Sequence, residues 1–267
     1  MDLYHRTTTV RPPYGKRVLY KDIGYHGPMW TDIIDLRDFY LSRLGRVTQR
    51  MIRRRIRLMW PDVSDYVVLG LGYATPYLRP FMEEAERVTA VMPHAQGALH
   101  WPADGARLVT LADETALPFS DSTVDRILLV HALESSEHLR AMMREVWRIL
   151  AGDGRLLVLA PNRRGIWARS GTTPFGHGHP FTRGQLSRLL RDNMFTPLRS
   201  ASALFVPPLS SQMALASAPA WEKLGERWFR GFSGVILAEA SKKIYATTAS
   251  PEGGRRVLAP LPKDITR

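Results

Sequence analysis

Hydrophobic positions along the chain follow two different periods. Between residues 33 and 51 the apolar side chains Ile33, Leu36, Tyr40, Leu44, Val47 and Met51 recur every three or four positions, which places them on one face of a helix. From Tyr66 onward the pattern changes to short, continuous apolar runs bounded by turn residues. The segments Tyr66–Gly70, Arg87–Met92, Arg107–Leu111, Val124–Val130 and Arg155–Ala160 are of this kind, as expected for strands buried on both faces. Helical stretches alternate with them at Pro76–Ala85, Ser135–Leu150 and Thr182–Asn193. Two further strands are expected at Thr196–Val206 and Gly234–Thr247, separated by a helical stretch near Ser211–Phe229 rich in Ala and Trp. This alternation predicts an α/β fold with a mostly parallel sheet. Ligands of such sheets bind beyond the carboxyl ends of the strands, so the loops after each strand are where chemistry is expected.

Length and composition narrow the class. At 267 residues, 45% hydrophobic and 23% charged, the chain suits one large domain with appendages. The divisions expected are an N-terminal extension over residues 1–60, a main domain over 61–248 and a tail over 249–267. No apolar run approaches the ~18 residues that would cross a bilayer. The first residues lack the apolar centre of a signal peptide, and a cytoplasmic location is expected from this. Cysteine is absent, which excludes disulfides, thiolate metal sites and cysteine nucleophiles.

Charge changes the picture at the N-terminus. Lysine and arginine number 37 against 25 acidic residues, a surplus of +12, and residues 1–60 hold 13 basic against 5 acidic residues. Eight arginines lie between Arg37 and Arg57, mostly off the apolar stripe. Two readings stay open: a positive face for an acidic partner, nucleic acid or anionic lipid, or a solvated helix docked by its stripe. Nucleic acid is the weakest of these.

The segments VVLGLGYATPYL, ALPFSDSTVDRILLVHALE and REVWRILAGDGRLLVLAPN follow one another in the order and spacing of a known family. Together they resemble the class I S-adenosylmethionine-dependent methyltransferases, particularly the group acting on quinones and other small molecules, over about Val67 to Asn193. The resemblance implies a Rossmann-like three-layer sandwich with a mostly parallel seven-stranded sheet, here preceded by a basic helix. It also implies S-adenosylmethionine as cofactor and a small-molecule acceptor.

The cofactor loop departs from that pattern. The family's DxGxGxG positions read Gly70, Gly72, Ala74 and Pro76, so the acid is missing and Ala74 adds a methyl group where a glycine usually gives the backbone room. Tyr73 lies between them, and Thr75 is expected to cap a helix that begins at Pro76. The residue at the family's ribose-binding carboxylate is Met92. Losing charged hydrogen bonds there would weaken cofactor binding by roughly tenfold to a few hundredfold. Asp113, with Glu114 beside it, matches the position that addresses the adenine amino group.

Candidate bases are His131 and Glu134 at the end of the fourth strand, and the pair His177 and His179 in SGTTPFGHGHPFT. No third ligand stands at a convincing spacing from that pair, so no metal site is expected. The segment Asn162–Thr182, with its arginines and aromatics, is placed to form a lid. The expected activity is methyl transfer to a small or anionic substrate, with a catalytically inactive binding or regulatory module of the same fold as the alternative. An open pocket bounded by Gly72, Met92, Asp113 and His131 belongs to the first reading, and filling of that volume by Tyr73 or Met92 to the second.

Overall fold

The computed structural model describes residues 30–209 and 211–243. The two chain ends, including the expected tail over 249–267, lie outside the described residues. Seven strands form one sheet in the order β3-β2-β1-β4-β5-β7-β6. They span Val67–Gly72 (β1), Arg87–Pro93 (β2), Val109–Ala112 (β3), Val124–Val130 (β4), Leu150–Pro161 (β5), Phe195–Ala203 (β6) and Val235–Lys242 (β7). The first five pair in parallel, and β7 runs antiparallel between β5 and β6. The chain order reverses at β1, which pairs with both β2 and β4. The carboxyl ends of β1, β2 and β4 therefore frame the crevice where such sheets take ligands.

The continuous apolar runs are explained by burial on both sides. On β4, Leu128 and Val130 enter the core on one face while Ile127 and Leu129 enter the core on the other. On β5, Leu157 and Leu159 face the first core, whereas Leu156, Val158 and Ala160 face the second. Helices α4 (Leu139–Ile149) and α5 (Arg183–Asp192) close the second face with Met142, Val146, Leu186 and Leu190. Thr182, where the expected helical stretch begins, stands just outside α5 as its cap, in a capping box with Gln185.

The basic N-terminal stretch covers the other face, and it is two helices where the apolar stripe predicted one. Helix α1 spans Ile33–Leu41 and α2 spans Arg43–Met59. Ser42 breaks the run in extended backbone, its hydroxyl accepting from the Gly45 amide to cap α2. A Cβ at Gly45 would stand 1.9 Å from the Phe39 carbonyl oxygen, so only glycine lets the helices approach this closely. Period alone could not reveal the break, because the stripe continues through it. Ile52, Ile56 and Met59 of α2 join the core of the first face. Each such burial contributes about 1.5–3 kcal/mol, so these helices are an integral layer of the fold.

Two other expected helices are shorter. The segment after β1 forms α3 (Thr75–Leu78) and then a tight turn, Arg79–Phe81, because Pro80 withholds the amide a longer helix would need. Thr75 is itself helical, and Ala74 precedes the helix without a side-chain cap. The expected Thr75 cap is therefore corrected. The Ala- and Trp-rich stretch divides at Ser217 into α6 (Gln212–Ala216) and α7 (Ala218–Trp228).

Candidate functional site

The crevice at the carboxyl ends of β1, β2 and β4 is covered by α1. Its first amide, from Ile33, donates to the Gln96 carbonyl in the loop after β2 (3.0 Å), and Asp32 caps the helix by accepting from the Ile34 amide. At its other end Tyr40 descends to β4. The Tyr40 hydroxyl lies 2.9 Å from the Tyr77 hydroxyl and 2.9 Å from His131 Nε2, and His131 Nδ1 lies 3.1 Å from Glu134 Oε1. With Glu134 accepting from Nδ1–H, Nε2 is left to accept from the Tyr40 hydroxyl, which in turn accepts from Tyr77. Burial raises the Tyr40 phenol well above its ordinary pKa, and Tyr77 adds to that, so the hydroxyl keeps its proton. His131 follows β4 directly with φ at +51°, a strained backbone at the strand end.

Aromatic rings enclose this chain of hydrogen bonds. Phe175 lies 4.9 Å from the His131 ring, and Tyr73 lies 5.4 Å from the Tyr40 ring. Burial pushes the Tyr73 phenol up to about 12. Trp167 packs edge-on against Phe175 and donates its indole N–H to the Val206 carbonyl. The aromatics of the Asn162–Thr182 segment are thus core residues, while Arg163, Arg164 and Arg169 face outward.

The glycine loop is close-packed. Gly72 has φ at +83°, and a Cβ there would meet the Val130 carbonyl oxygen at 2.3 Å. At Gly70 a Cβ would meet Ala74 and Leu78 at 2.6 Å, so a carboxylate at this position would collide with α3. Ala74 therefore serves helix-to-strand packing here. Met92 is fully buried in the core of the α1 face, where a charged side chain would lack a partner.

Of the residues expected at the site, the structure brings Gly70, Gly72, Tyr73, Ala74, Met92 and His131 together beneath or beside α1. Asp113 is exposed and spends one carboxylate oxygen on the Thr115 amide and hydroxyl, bonds that hold its pKa below the usual range. His177 and His179 are also exposed. Their loop is fixed by its backbone, since the His179 amide donates to the Glu134 carbonyl and Gly178, at φ +72°, fits against that same oxygen.

Three polar side chains stand out by burial, and of these only Gln96 had no motif to mark it in the sequence. Gln96, 2% exposed, has no hydrogen-bond partner for either amide atom. Glu114 accepts from the Ser136 hydroxyl through Oε1 while Oε2 has no partner, and burial holds its pKa above the ordinary value. Glu134 binds His131 through Oε1 and leaves Oε2 unpartnered. They lie on the loops after β2, β3 and β4 respectively. Folded proteins pair nearly all such groups, so three orphans on neighbouring strand ends favour a polar ligand there. The donor set suits hydroxyls and amines and lacks the two carboxylates expected of the family at positions 70 and 92. Among the described residues no cluster of three or more His, Asp or Glu is arranged to hold a metal.

Strand order, the crevice at β1 and the glycine turn define a class I methyltransferase fold, and residues 67–158 match the family described as "Methyltransferase domain". That match covers about a third of the chain, the part that holds β1 to β4 and most of β5. The chain is similar to the ubiquinone/menaquinone biosynthesis C-methyltransferase UbiE of Rubrivivax gelatinosus, with 28% identity over 151 residues. That match covers 55% of this chain and 56% of the relative, so the chain spans little more than half of the relative's length. In fold it is similar to a chain in the complex of the Haloferax volcanii Trm112 methyltransferase activator with a methyltransferase (TM-score 0.57, 15% identity, 79% of this chain and 98% of that one). A methyltransferase from Thermotoga maritima, described as a possible histamine N-methyltransferase, matches at TM-score 0.56 and 15% identity over 79% of this chain and 96% of its own.

Proposed function

We propose that this chain binds S-adenosylmethionine beneath α1 and catalyses methyl transfer to a small or anionic acceptor. The observation that carries the reading is the set of buried, unpartnered atoms on Gln96, Glu114 and Glu134 after three successive strands of the crevice. Left unpaired, each would cost about 1–3 kcal/mol. In this reading Gln96 takes the ribose hydroxyls in place of the carboxylate that Met92 cannot supply. Asp113 and Glu114 address the adenine edge, and Gly70, Gly72, Tyr73 and Ala74 form the floor. When bound, the cofactor supplies an electrophilic methyl group. His131 serves as base: Glu134 fixes its tautomer, and the Tyr40 hydroxyl carries the acceptor's proton toward Nε2. His177 and His179 meet the acceptor at the outer edge of the crevice. The quinone chemistry in the name of the Rubrivivax relative supports a small-molecule acceptor.

Calorimetric titration with S-adenosylmethionine and S-adenosylhomocysteine tests this. The wild type should bind both, and Gln96→Leu, nearly equal in volume, should weaken binding by about tenfold for each hydrogen bond lost. No binding by a folded wild type, or binding indifferent to Gln96→Leu, would overturn the cofactor assignment. A second reading, a binding module that no longer uses the cofactor, is favoured by Gly70 and Met92, neither of which stands where a carboxylate fits. Absence of binding would select it.

A further inference from the structure

Helix α7 is packed with its small residues inward and its large ones outward. Its buried positions are Ala218 and Gly225, and a Cβ at Gly225 would stand 2.3 Å from the Phe205 ring. Trp221, Leu224 and Trp228, spaced three and four apart, form an exposed stripe, and Phe229 and Phe232 continue it into the following turn. Trp228 is 70% exposed and Phe232 63%. Burying side chains of this size is ordinarily worth about 1.5–3 kcal/mol each, and a contiguous apolar patch turned outward is the usual mark of an interaction surface.

The neighbouring surface says what kind of partner. The Arg55 guanidinium reaches across from α2 to Glu226 of α7 (2.9 Å), so the two helices are joined at this point. On α2, Arg43, Arg46, Arg50 and Arg54 are all exposed at spacings of three, four and four, a single outward stripe. Arg46 bonds the Leu41 carbonyl, and none of the four makes an ion pair among the described residues. On α7 itself Lys223 and Arg227 flank the aromatic stripe, with Arg227 beside the Trp228 ring. Exposed tryptophan and phenylalanine on α7, cations on the same helix and an arginine stripe without ion pairs on the neighbouring α2 match the chemistry of a bilayer interface: rings enter the headgroup boundary, and guanidinium groups meet lipid phosphates.

We propose that α7 with the turn after it, together with the arginine stripe of α2, docks this protein on an anionic phospholipid membrane. The contact is peripheral, since no described helix is long and apolar enough to cross a bilayer. A second copy fits the charge less well, because a two-fold contact would set arginine stripe against arginine stripe. A nucleic acid would satisfy the arginines and leave Leu224 without a role.

The proposal holds whether or not the crevice binds S-adenosylmethionine, and its test uses the full chain without that ligand. Vesicles of phosphatidylcholine alone, and of phosphatidylcholine with phosphatidylglycerol, would be sedimented with wild-type protein at low and high salt. Binding should be confined to the anionic vesicles and fall with salt. The triple substitution Arg43→Gln, Arg50→Gln, Arg54→Gln should weaken it by roughly a hundredfold. Trp228→Ala with Phe232→Ala should also reduce it, and neither variant should lower the unfolding midpoint because every changed side chain is exposed. No binding to anionic vesicles overturns the proposal. So does a dimer in sedimentation velocity that the aromatic variant dissociates, or binding to single-stranded RNA with none to vesicles.

Discussion

Tyr40 ties the covering helix α1 to the strand ends through both its ring and its hydroxyl. Its hydroxyl is shared between Tyr77 and His131, and its ring packs on Tyr73. Tyr40→Phe keeps the ring and deletes only the shared hydroxyl, so His131 Nε2 and the Tyr77 hydroxyl lose a buried partner. The expected cost is about 1–3 kcal/mol, read from the urea midpoint at unchanged slope. A midpoint equal to that of the wild type would mean that the hydroxyl is not part of a closed network. The same variant should lower any methyl transfer more than cofactor affinity, because the loss falls on proton movement.

Between elements, one buried carboxylate adds a polar tie to the apolar join of α2 with the sheet. Glu239 on β7 accepts from the Trp60 indole N–H at 3.0 Å and from Arg199 Nε at 2.5 Å, while Arg199 also donates to the Met59 carbonyl at the end of α2. A buried carboxylate with its cation removed is costly, whereas an apolar replacement of the whole pair is tolerated better. Because Arg199 is itself half exposed, Arg199→Met should destabilise the fold by about 1.5–3 kcal/mol. Trp60→Phe should cost less, since it removes one neutral donor. Adding Glu239→Leu to Arg199→Met should recover part of the loss in thermal unfolding, and a further drop instead would show that the carboxylate is not stranded.

The pH profile belongs to the whole molecule, because carboxylates pull it in opposite directions. Glu145, held below its ordinary pKa chiefly by Arg148, and Asp113 contribute stability above the unfolded carboxylate range that is lost as pH falls through their folded values. Glu222 on α7 works the other way. Burial raises its pKa despite bonds from the Phe205 and Leu204 amides, so the folded state favours its protonated form. Its contribution is fully present below the unfolded pKa and is lost as pH rises through the folded one. Glu222→Gln lacks this loss. Its stability relative to the wild type should rise between pH 4 and pH 7 in paired denaturant titrations, and a constant difference would remove the assigned shift.

What the sequence by itself determined was whatever depends on local pattern. Val124–Val130 is a strand at the bounds its apolar run predicts, the helical stretch expected over Thr182–Asn193 holds α5, and the ordered segments from β1 to β5 define the methyltransferase fold. Period and capping chemistry act over a few residues, so they are legible one-dimensionally. Tertiary structure alone decided the site. Tyr40 is one more apolar-stripe residue until α1 is laid over β4, and Gln96 belongs to no motif until α1 closes on its loop. Gly70 reads as a lost acid until Ala74 and Leu78 are seen to fill the space beside it. The outward turn of α7 is likewise invisible to periodicity, which gives an apolar face but not the direction it points. In each case the deciding quantity is the distance between residues far apart in the chain, and that distance exists only once the layers have packed.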